Sequence, residues 1–280
     1  MQIISDECKT KYPVFFVHGT GFRDRKIFNY WGAIPKLLKK RGACVFYSRH
    51  DAWANIEVAS FQIVEALEKA LTESGSEKVN VIAHSKGGID VRYAISKLGV
   101  ADKIASVTLI SSPNHGSKML DEFFSIFGEG IFKLTGVFVN LWYRILGDKK
   151  PDFFGTVCQF RASYMEKFNT EVLDNPSILV QSFAGRMKNP LSDILMGFLN
   201  FMLGLTDGDN DGLVSVESAK WGNFRGILEG NGLFGISHPQ EVDGYRTNPK
   251  LLENEGLPNG SKTIRDFYVS LVRELKEKGF

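Results

Sequence analysis

The sequence predicts an α/β fold in which a mostly parallel central sheet carries helices on both faces. Three observations predict it. Short apolar runs alternate with longer segments of helical periodicity over about the first 110 residues. The apolar runs are continuous, which is typical of strands buried on both faces. The same rhythm resumes near residue 178.

The predicted strands are rich in Val, Ile and Phe, which favour extended structure. They cover residues 14–17, 44–47, 79–83, 104–110 and 178–183. The predicted helices have apolar residues three or four positions apart. They cover residues 31–40, 56–72, 86–98 and 262–278. The order of strand and helix repeats three times before residue 104, which is why parallel strands joined by helices are expected.

Residues 117–175 interrupt this rhythm, because they are rich in aromatics and fit no strand pattern. Residues 121–146 carry more apolar side chains than one buried helix stripe requires. A second apolar stretch covers residues 195–205, and no repeat or linker separates these parts. The sequence predicts one domain over residues 1–280, with 117–175 as an inserted cap and 190–205 as a second apolar cap segment. A larger core or a dimer interface is the alternative use of these apolar residues.

Composition and charge exclude several classes of protein. A formal net charge of +2 on 280 residues, without a dense Lys or Arg run, gives no nucleic-acid surface. Cys8, Cys44 and Cys158 are too few and too far apart for a disulfide framework or a metal site. No apolar stretch reaches the roughly 20 residues of a transmembrane helix. The first residues lack a signal-peptide pattern, so we expect a cytoplasmic protein, or a secreted one if the chain is a mature form.

The third predicted strand runs into a helix through Ala83-His84-Ser85-Lys86-Gly87-Gly88. A serine on such a sharp turn presents its Oγ above the sheet edge, and the turn needs small residues two positions before and after it. Ala83 and Gly87 supply them. The N–H of Lys86, at the helix start, lies where an oxyanion would form. The pattern favours Ser85 as a nucleophile, and the alternative is an ordinary serine N-cap.

A serine nucleophile needs a histidine base and a carboxylate that orients this base. On a turn of this type the chain order is Ser, acid, His. Only His115 and His238 follow Ser85, and His115 leaves little room for an acid before it. His238 is therefore the predicted base by elimination. Asp211 is the predicted acid, because a glycine and two apolar residues follow it, and Asp209 is the second choice.

The same aspartates also begin like a calcium-binding EF-hand loop. Asp207, Asp209 and Asp211 have the spacing of the first ligands. A complete loop requires a bidentate Glu at its twelfth position, and counting from Asp207 that position is Ser218. The EF-hand interpretation fails there, whereas a looser calcium site stays open.

A glycine-rich segment, His18-Gly19-Thr20-Gly21-Phe22, follows the first predicted strand. Its glycines let the backbone approach a ligand closely, and the N–H of Thr20 could supply a second oxyanion donor. His18 is expected to hold the turn by hydrogen bonds rather than to take part in the chemistry.

Together these segments resemble the bacterial triacylglycerol lipases of the α/β-hydrolase superfamily. The resemblance is carried, in the family's order, by residues 18–22, 83–88, 112–117, 210–214 and 237–242. It implies the α/β-hydrolase fold. In that family the first two segments supply the oxyanion hole and the nucleophile, and the last two supply the acid and the base. These roles fall on Thr20 and Lys86, Ser85, Asp211 and His238.

Two positions depart from the family's pattern. Ala83 replaces the usual first glycine of the nucleophile turn, a change that keeps the residue small. Calcium-binding members carry an Asp where this chain has Gln240, and Asp193 matches their other aspartate only loosely. The expected reaction requires no cofactor. Calcium near Asp193, Asp207, Asp209 and Gln240 stays open.

The resemblance implies a lipase that hydrolyses carboxylic esters of acylglycerols through an acyl-enzyme. The apolar insertion favours a lid or acyl-binding cap, with an inner face for acyl chains and an outer face for a lipid–water interface. A short- or medium-chain carboxylesterase, a phospholipase or an acyltransferase on the same triad is the alternative. A lipid-binding protein without catalysis is the alternative from another class.

Overall fold

Six strands form one fully parallel sheet in a computed structural model that describes residues 5–24 and 29–280. The strands are β1 (Val14–Val17), β2 (Val45–Tyr47), β3 (Val79–His84), β4 (Ile104–Ile110), β5 (Leu179–Arg186) and β6 (Asn223–Glu229). Their spatial order is β2-β1-β3-β4-β5-β6. The predicted α/β class is confirmed, and five of these strands lie where the sequence predicts them.

The edge strand β6 is absent from the prediction. Most of its residues are exposed or only half-buried, and Arg225 and Gly226 interrupt its apolar pattern. Its position at the edge of the sheet explains this composition, because an edge strand has one neighbour and is not buried on both sides.

Ten α-helices lie in the described part of the chain. They are α1 (Ile34–Lys40), α2 (Ile56–Ser74), α3 (Lys86–Lys97), α4 (Lys118–Phe127), α5 (Gly130–Ile145), α6 (Phe153–Gln159), α7 (Ala162–Glu171), α8 (Ile194–Thr206), α9 (Val216–Ala219) and α10 (Ile264–Glu277). The four predicted helices correspond to α1, α2, α3 and α10. The cap, residues 117–175, consists mainly of α4 to α7.

Two apolar cores lie on opposite faces of the sheet. Phe15 and Val17 of β1 pack with Ile63 and Leu67 of α2, whereas Phe16 belongs to the core formed with α1 and α10. Neighbouring residues of one strand point to opposite faces, so β1 contributes to both cores. Burying one such side chain stabilises the fold by about 1.5–3 kcal/mol.

The cap and α8 expose large apolar side chains to solvent. Each of the following is at least 55% exposed: Ile126 and Phe127 of α4; Ile131, Leu134, Val137, Phe138, Leu141, Trp142 and Ile145 of α5; and Ile194, Leu195, Phe198, Phe201 and Leu205 of α8. α4 contacts α8, and Phe124 of α4 stacks on Phe132 of α5 with ring centroids 4.2 Å apart. The three helices are therefore neighbours, and we call their exposed apolar residues together the apolar platform.

No helix within the described residues is by itself long and apolar enough to cross a membrane. α4 and α5 meet that criterion only when taken together, and a bend of 109° separates them.

Candidate active site

Ser85 occupies a strained turn between β3 and α3. Its φ of 55° and ψ of −135° are unusual for a residue with a side chain. Its N–H donates to the carbonyl of Ile110 at 2.9 Å, and its side chain does not cap α3. A Cβ atom placed on Gly87 would lie 2.4 Å from the carbonyl oxygen of His18. The turn therefore requires a small residue there, as the sequence predicts.

Asp211 and His238 form a buried pair. Asp211 Oδ2 lies 2.7 Å from His238 Nδ1, and the His238 N–H donates to the carbonyl of Asp211 at 2.9 Å. The other carboxylate oxygen of Asp211 accepts two backbone N–H groups of its own turn. The second-choice acid, Asp209, is 65% exposed at its side chain and pairs with Arg186 instead. The geometry therefore favours Asp211 as the partner of His238.

The His238 ring lies next to the nucleophile turn. It packs against the ring of His84, the residue before Ser85, with centroids 4.3 Å apart. Within the described residues, no hydrogen bond joins the Ser85 hydroxyl to His238, and such bonds are often long in free enzymes. His115 packs against Trp221, with ring centroids 5.5 Å apart, and is no partner of Asp211.

The two segments that carry the predicted oxyanion donors adjoin Ser85. Residues 18–23, the oxyanion loop, pack closely on the serine, since a Cβ on Gly19 would lie 2.6 Å from Ser85 Cβ. His18 Nδ1 lies 2.8 Å from the Gly19 carbonyl oxygen and donates to it. Across a trans peptide the following N–H, that of Thr20, points the opposite way. Over residues 5–24 and 29–280, neither this N–H nor that of Lys86 donates to a protein acceptor.

The Lys86 side chain is buried and has a structural partner. Its Nζ donates to Asp90 Oδ1 at 2.6 Å within α3. Burial raises the pKa of Asp90 to about 7, although the neighbouring lysine charge opposes this rise. Only the backbone N–H of Lys86 is therefore available to an oxyanion.

A second buried polar chain adjoins the triad, and the sequence prediction does not include it. Tyr30 Oη lies 2.6 Å from His84 Nδ1, and His84 Nε2 lies 3.2 Å from Glu241 Oε2. Glu241 in turn lies beside Asp211. Glu241 falls inside the motif that carries His238, but nothing in the motif distinguishes a buried glutamate from a surface one.

The pKa values of the two neighbouring carboxyl groups, Glu241 and Asp211, are shifted in opposite directions. Burial and the negative charge of Asp211 raise the pKa of Glu241 well above its usual range. Burial acts to raise the pKa of Asp211 too, but the charge and hydrogen bond of His238 hold it below its ordinary value. Burial, followed by the charge of His238, lowers the pKa of His84 far below its usual value. These shifts favour the uncharged forms of Glu241 and His84 and the charged form of Asp211.

Each of the residues considered for calcium accepts a hydrogen bond from the protein itself. Asp193 caps the start of α8 and accepts a hydrogen bond from Ser237 Oγ at 2.6 Å. Gln240 Oε1 accepts the Ser237 N–H, and Asp207 accepts the first two N–H groups of α4. Asp209 pairs with an arginine, as described above. These oxygens accept hydrogen bonds from the protein itself, and calcium binding at these residues stays a prediction.

One other group has ligand-like spacing. His84, His238 and Glu241 form the sole group of three or more His, Cys, Asp or Glu residues in the described chain whose ligand atoms all lie within 4.8 Å. Two of these residues hydrogen-bond each other, and the third is paired with Asp211. We therefore interpret this group as part of the hydrogen-bonded site.

A parallel sheet, a serine on a strained strand-to-helix turn and a buried Asp–His pair beside it define an α/β-hydrolase. The chain is 29% identical to a triacylglycerol lipase of Vibrio cholerae over 89% of this chain and 90% of that protein. It is 27% identical to triacylglycerol lipase 2 of Saccharomyces cerevisiae, over 90% of this chain and 74% of the yeast protein. No protein-family model matches the chain.

Solved structures agree on the fold. A metagenomic carboxyl esterase superposes with a TM-score of 0.71 at 14% identity, over 99% of this chain and 78% of that one. The mature lipase of Bacillus licheniformis superposes with a TM-score of 0.63 at 20% identity, over 88% and 92% of the two chains. Taken with the sequence similarity to curated lipases, the chain is a serine ester hydrolase of the α/β-hydrolase type.

Proposed function

We propose that this chain is a lipase that hydrolyses acylglycerol esters through Ser85, His238 and Asp211. The observation that carries the proposal is the buried 2.7 Å contact between Asp211 and His238, beside the strained serine turn. The relatives named triacylglycerol lipase support the substrate class.

In the first step the Ser85 oxygen attacks the ester carbonyl carbon while His238 takes the serine proton. Asp211 orients the imidazole and stabilises its positive charge. The N–H groups of Thr20 and Lys86 donate to the negative oxygen of the tetrahedral intermediate. The intermediate collapses when His238 gives its proton to the departing alcohol, which leaves an acyl group on Ser85.

In the second step water replaces the alcohol. His238 takes a proton from the water, whose oxygen attacks the acyl carbon, and the same two N–H groups stabilise the new oxyanion. Collapse returns the proton to Ser85 and releases the fatty acid. Side chains and backbone groups handle every proton and charge in this scheme. We therefore propose that the reaction requires no cofactor, and we assign calcium no step in it.

The apolar platform supports a lipid substrate rather than a freely soluble ester. Exposed apolar patches of this extent mark interaction sites in soluble proteins. Ser85 and His238 are only 7% and 5% exposed, so an acylglycerol needs an opening to reach them. We propose that the cap moves at a lipid–water interface to admit the acyl chain.

Substrate assays with two serine variants test the proposal. We expect hydrolysis of triacylglycerols of increasing chain length, with activity rising above the solubility limit. Ser85→Ala should lower kcat at least about 10⁴-fold, because it removes the nucleophile. Ser106→Ala, which changes another buried serine in β4, is the matched control and should keep near-normal activity.

Three outcomes would contradict the proposal. Full activity of Ser85→Ala would refute the assigned nucleophile. Activity confined to short, dissolved esters would identify a carboxylesterase, the second candidate, which the fold of the metagenomic esterase accommodates. Absence of hydrolysis with every ester tested would leave a lipid-binding protein.

A further inference from the structure

We propose that the cap holds the oxyanion loop in its productive position, with Tyr143 and the Arg23–Asp148 pair as positioning residues for ester hydrolysis. The inference rests on the proposed function. It assigns a role to cap residues that lie outside the triad and the oxyanion donors.

The first contact joins α5 directly to the loop. Tyr143 Oη donates a 2.7 Å hydrogen bond to the carbonyl oxygen of Gly21, whose φ of 91° places it in a region that favours glycine. On the other side of Thr20, the carbonyl of Gly19 accepts from His18. The carbonyls of both residues that flank Thr20 are thus fixed: that of Gly19 by His18, and that of Gly21 by Tyr143 of the cap.

These two contacts determine the direction of the Thr20 N–H bond. The peptide before Thr20 is planar, so its rotation moves the carbonyl of Gly19 and the N–H of Thr20 together. Loss of the Tyr143 bond frees the Gly21–Phe22 peptide, whose N–H donates to the carbonyl of Thr20 at 3.2 Å, and so lets the loop rotate about Thr20. An oxyanion donor acts only within about 2.7–3.1 Å of the developing charge, so a small rotation weakens it.

A second contact joins the loop to the end of the same cap helix. Arg23 Nη1 donates to Asp148 Oδ1 at 3.1 Å, and Arg23 Nη2 donates to the carbonyl of Arg49 at the same distance. The Asp148 side chain is fully buried, and its other oxygen accepts the N–H of Trp53 at 3.1 Å. A buried carboxylate with a defined arginine partner is costly to separate, so this pair ties residue 148 to residue 23.

Apart from its contacts with other cap helices, through the Phe124–Phe132 stack and the bond from the Phe153 N–H to Asn140 Oδ1, the helix that supplies Tyr143 has few attachments. Gly136 is the one buried residue among the sixteen of α5, and most of its apolar side chains face solvent. Tyr143 also packs edge-on against Trp53, with ring centroids 6.0 Å apart. The contacts at Tyr143 and Asp148 therefore hold both α5 and the oxyanion loop. An opening of the cap that admits the acyl chain therefore has to leave these contacts at the end of α5 in place.

Kinetics on a dissolved short-chain ester test the inference, because such a substrate does not depend on the apolar platform. We expect Tyr143→Phe to lower kcat about 10-fold and to change KM less than about twofold. The weakened interaction is that of the Thr20 N–H with the oxyanion, which forms in the transition state. Asp148→Asn should act in the same direction. Tyr164→Phe is the matched control in α7 of the same cap, where its hydroxyl contacts Gln159, and should keep wild-type kcat.

A tetrahedral analogue separates positioning from general loss of structure. An alkyl boronic acid that bonds to Ser85 and places an oxygen in the oxyanion hole should bind Tyr143→Phe about 10-fold more weakly. The carboxylate product should bind both proteins equally. Wild-type kcat and analogue affinity in both Tyr143→Phe and Asp148→Asn would overturn the inference, as would a defect confined to long-chain esters. If the wild type hydrolyses no ester at all, the proposed function fails first, so the two failures are distinguishable.

Discussion

Ser85 combines a positive φ with a side chain that caps nothing. An ordinary serine N-cap has extended backbone angles and accepts a hydrogen bond from the helix start. The strained turn costs of order 1–3 kcal/mol, and a strained turn of this kind presents the serine hydroxyl above the sheet edge instead of capping the helix. The two backbone angles and the missing cap bond favour a nucleophile over an N-cap, and the role of Ser85 stays a prediction.

Glu241 is a single residue whose burial and raised pKa cannot be predicted from the motif that contains it. The chemistry of Ser85, Asp211 and His238 can be predicted from residue type and chain order. The raised pKa of Glu241 depends on burial beside Asp211, and contacts distant in sequence create that burial. Tyr30 and His84 enter the same polar chain for the same reason.

Glu241 should make stability depend on pH in a defined direction. Its folded-state pKa is raised, so its contribution is fully present below the unfolded value of about 4.3 and is lost as pH rises toward the folded value. Relative to Glu241→Gln, the wild type should lose up to about 1.4 kcal/mol of unfolding free energy per pH unit in that window. Urea unfolding of both proteins at pH 5 and pH 8 measures this.

Glu217→Gln is the control, because Glu217 is 74% exposed at its side chain in α9. Its difference from the wild type should vary little between the two pH values. A Glu241→Gln difference that is constant with pH, or that changes with the opposite sign, would show that Glu241 is ionised in the folded protein.

The elements differ in how far the sequence predicts them. α2 and α3 have apolar stripes that the buried face of the sheet requires, and their observed bounds lie close to the predicted ones. α5 has an excess of apolar residues, which predicts unusual surroundings but not their nature. The structure shows that the excess faces solvent. The spacing of apolar residues predicts which face of a helix is apolar. What covers that face depends on the rest of the molecule and its partners.

The apolar platform should bind lipid, and a double variant of α5 tests this. Leu134 and Phe138 are 63% and 67% exposed, so replacing both with Ser removes apolar area without emptying the core. We expect binding to phosphatidylcholine vesicles to weaken at least about 10-fold, since burying each side chain contributes about 1.5–3 kcal/mol. Co-sedimentation with vesicles measures the binding, and kcat on a dissolved short-chain ester should stay unchanged.

Phe61→Ser is the matched control for the platform. Phe61 is 60% exposed on α2, outside the cap and α8. It should not affect vesicle binding. Equal losses in the control and the double variant, or no loss in either, would contradict a lipid-binding role for this surface.

At the scale of the molecule, the sheet order explains why distant segments meet. β1 and β4 flank β3, so the loops that follow these strands surround Ser85. The segments with Asp211 and His238 come from beyond β5, and the backbone bond between these two residues joins them. Chain order predicts which residues serve the site, while strand order and loop contacts determine how close they come. The residues considered for calcium show where sequence prediction stops, since each accepts a hydrogen bond from a protein donor that the sequence does not reveal.

Labelling with a fluorophosphonate, followed by peptide mass spectrometry, directly tests whether Ser85 is the nucleophile and Asp211 its supporting acid. We expect one adduct, on Ser85, that is absent from Ser85→Ala and forms about 10³- to 10⁴-fold more slowly in Asp211→Asn, because His238 loses its orienting charge. An adduct on a different residue, or unchanged labelling of Asp211→Asn, would contradict it.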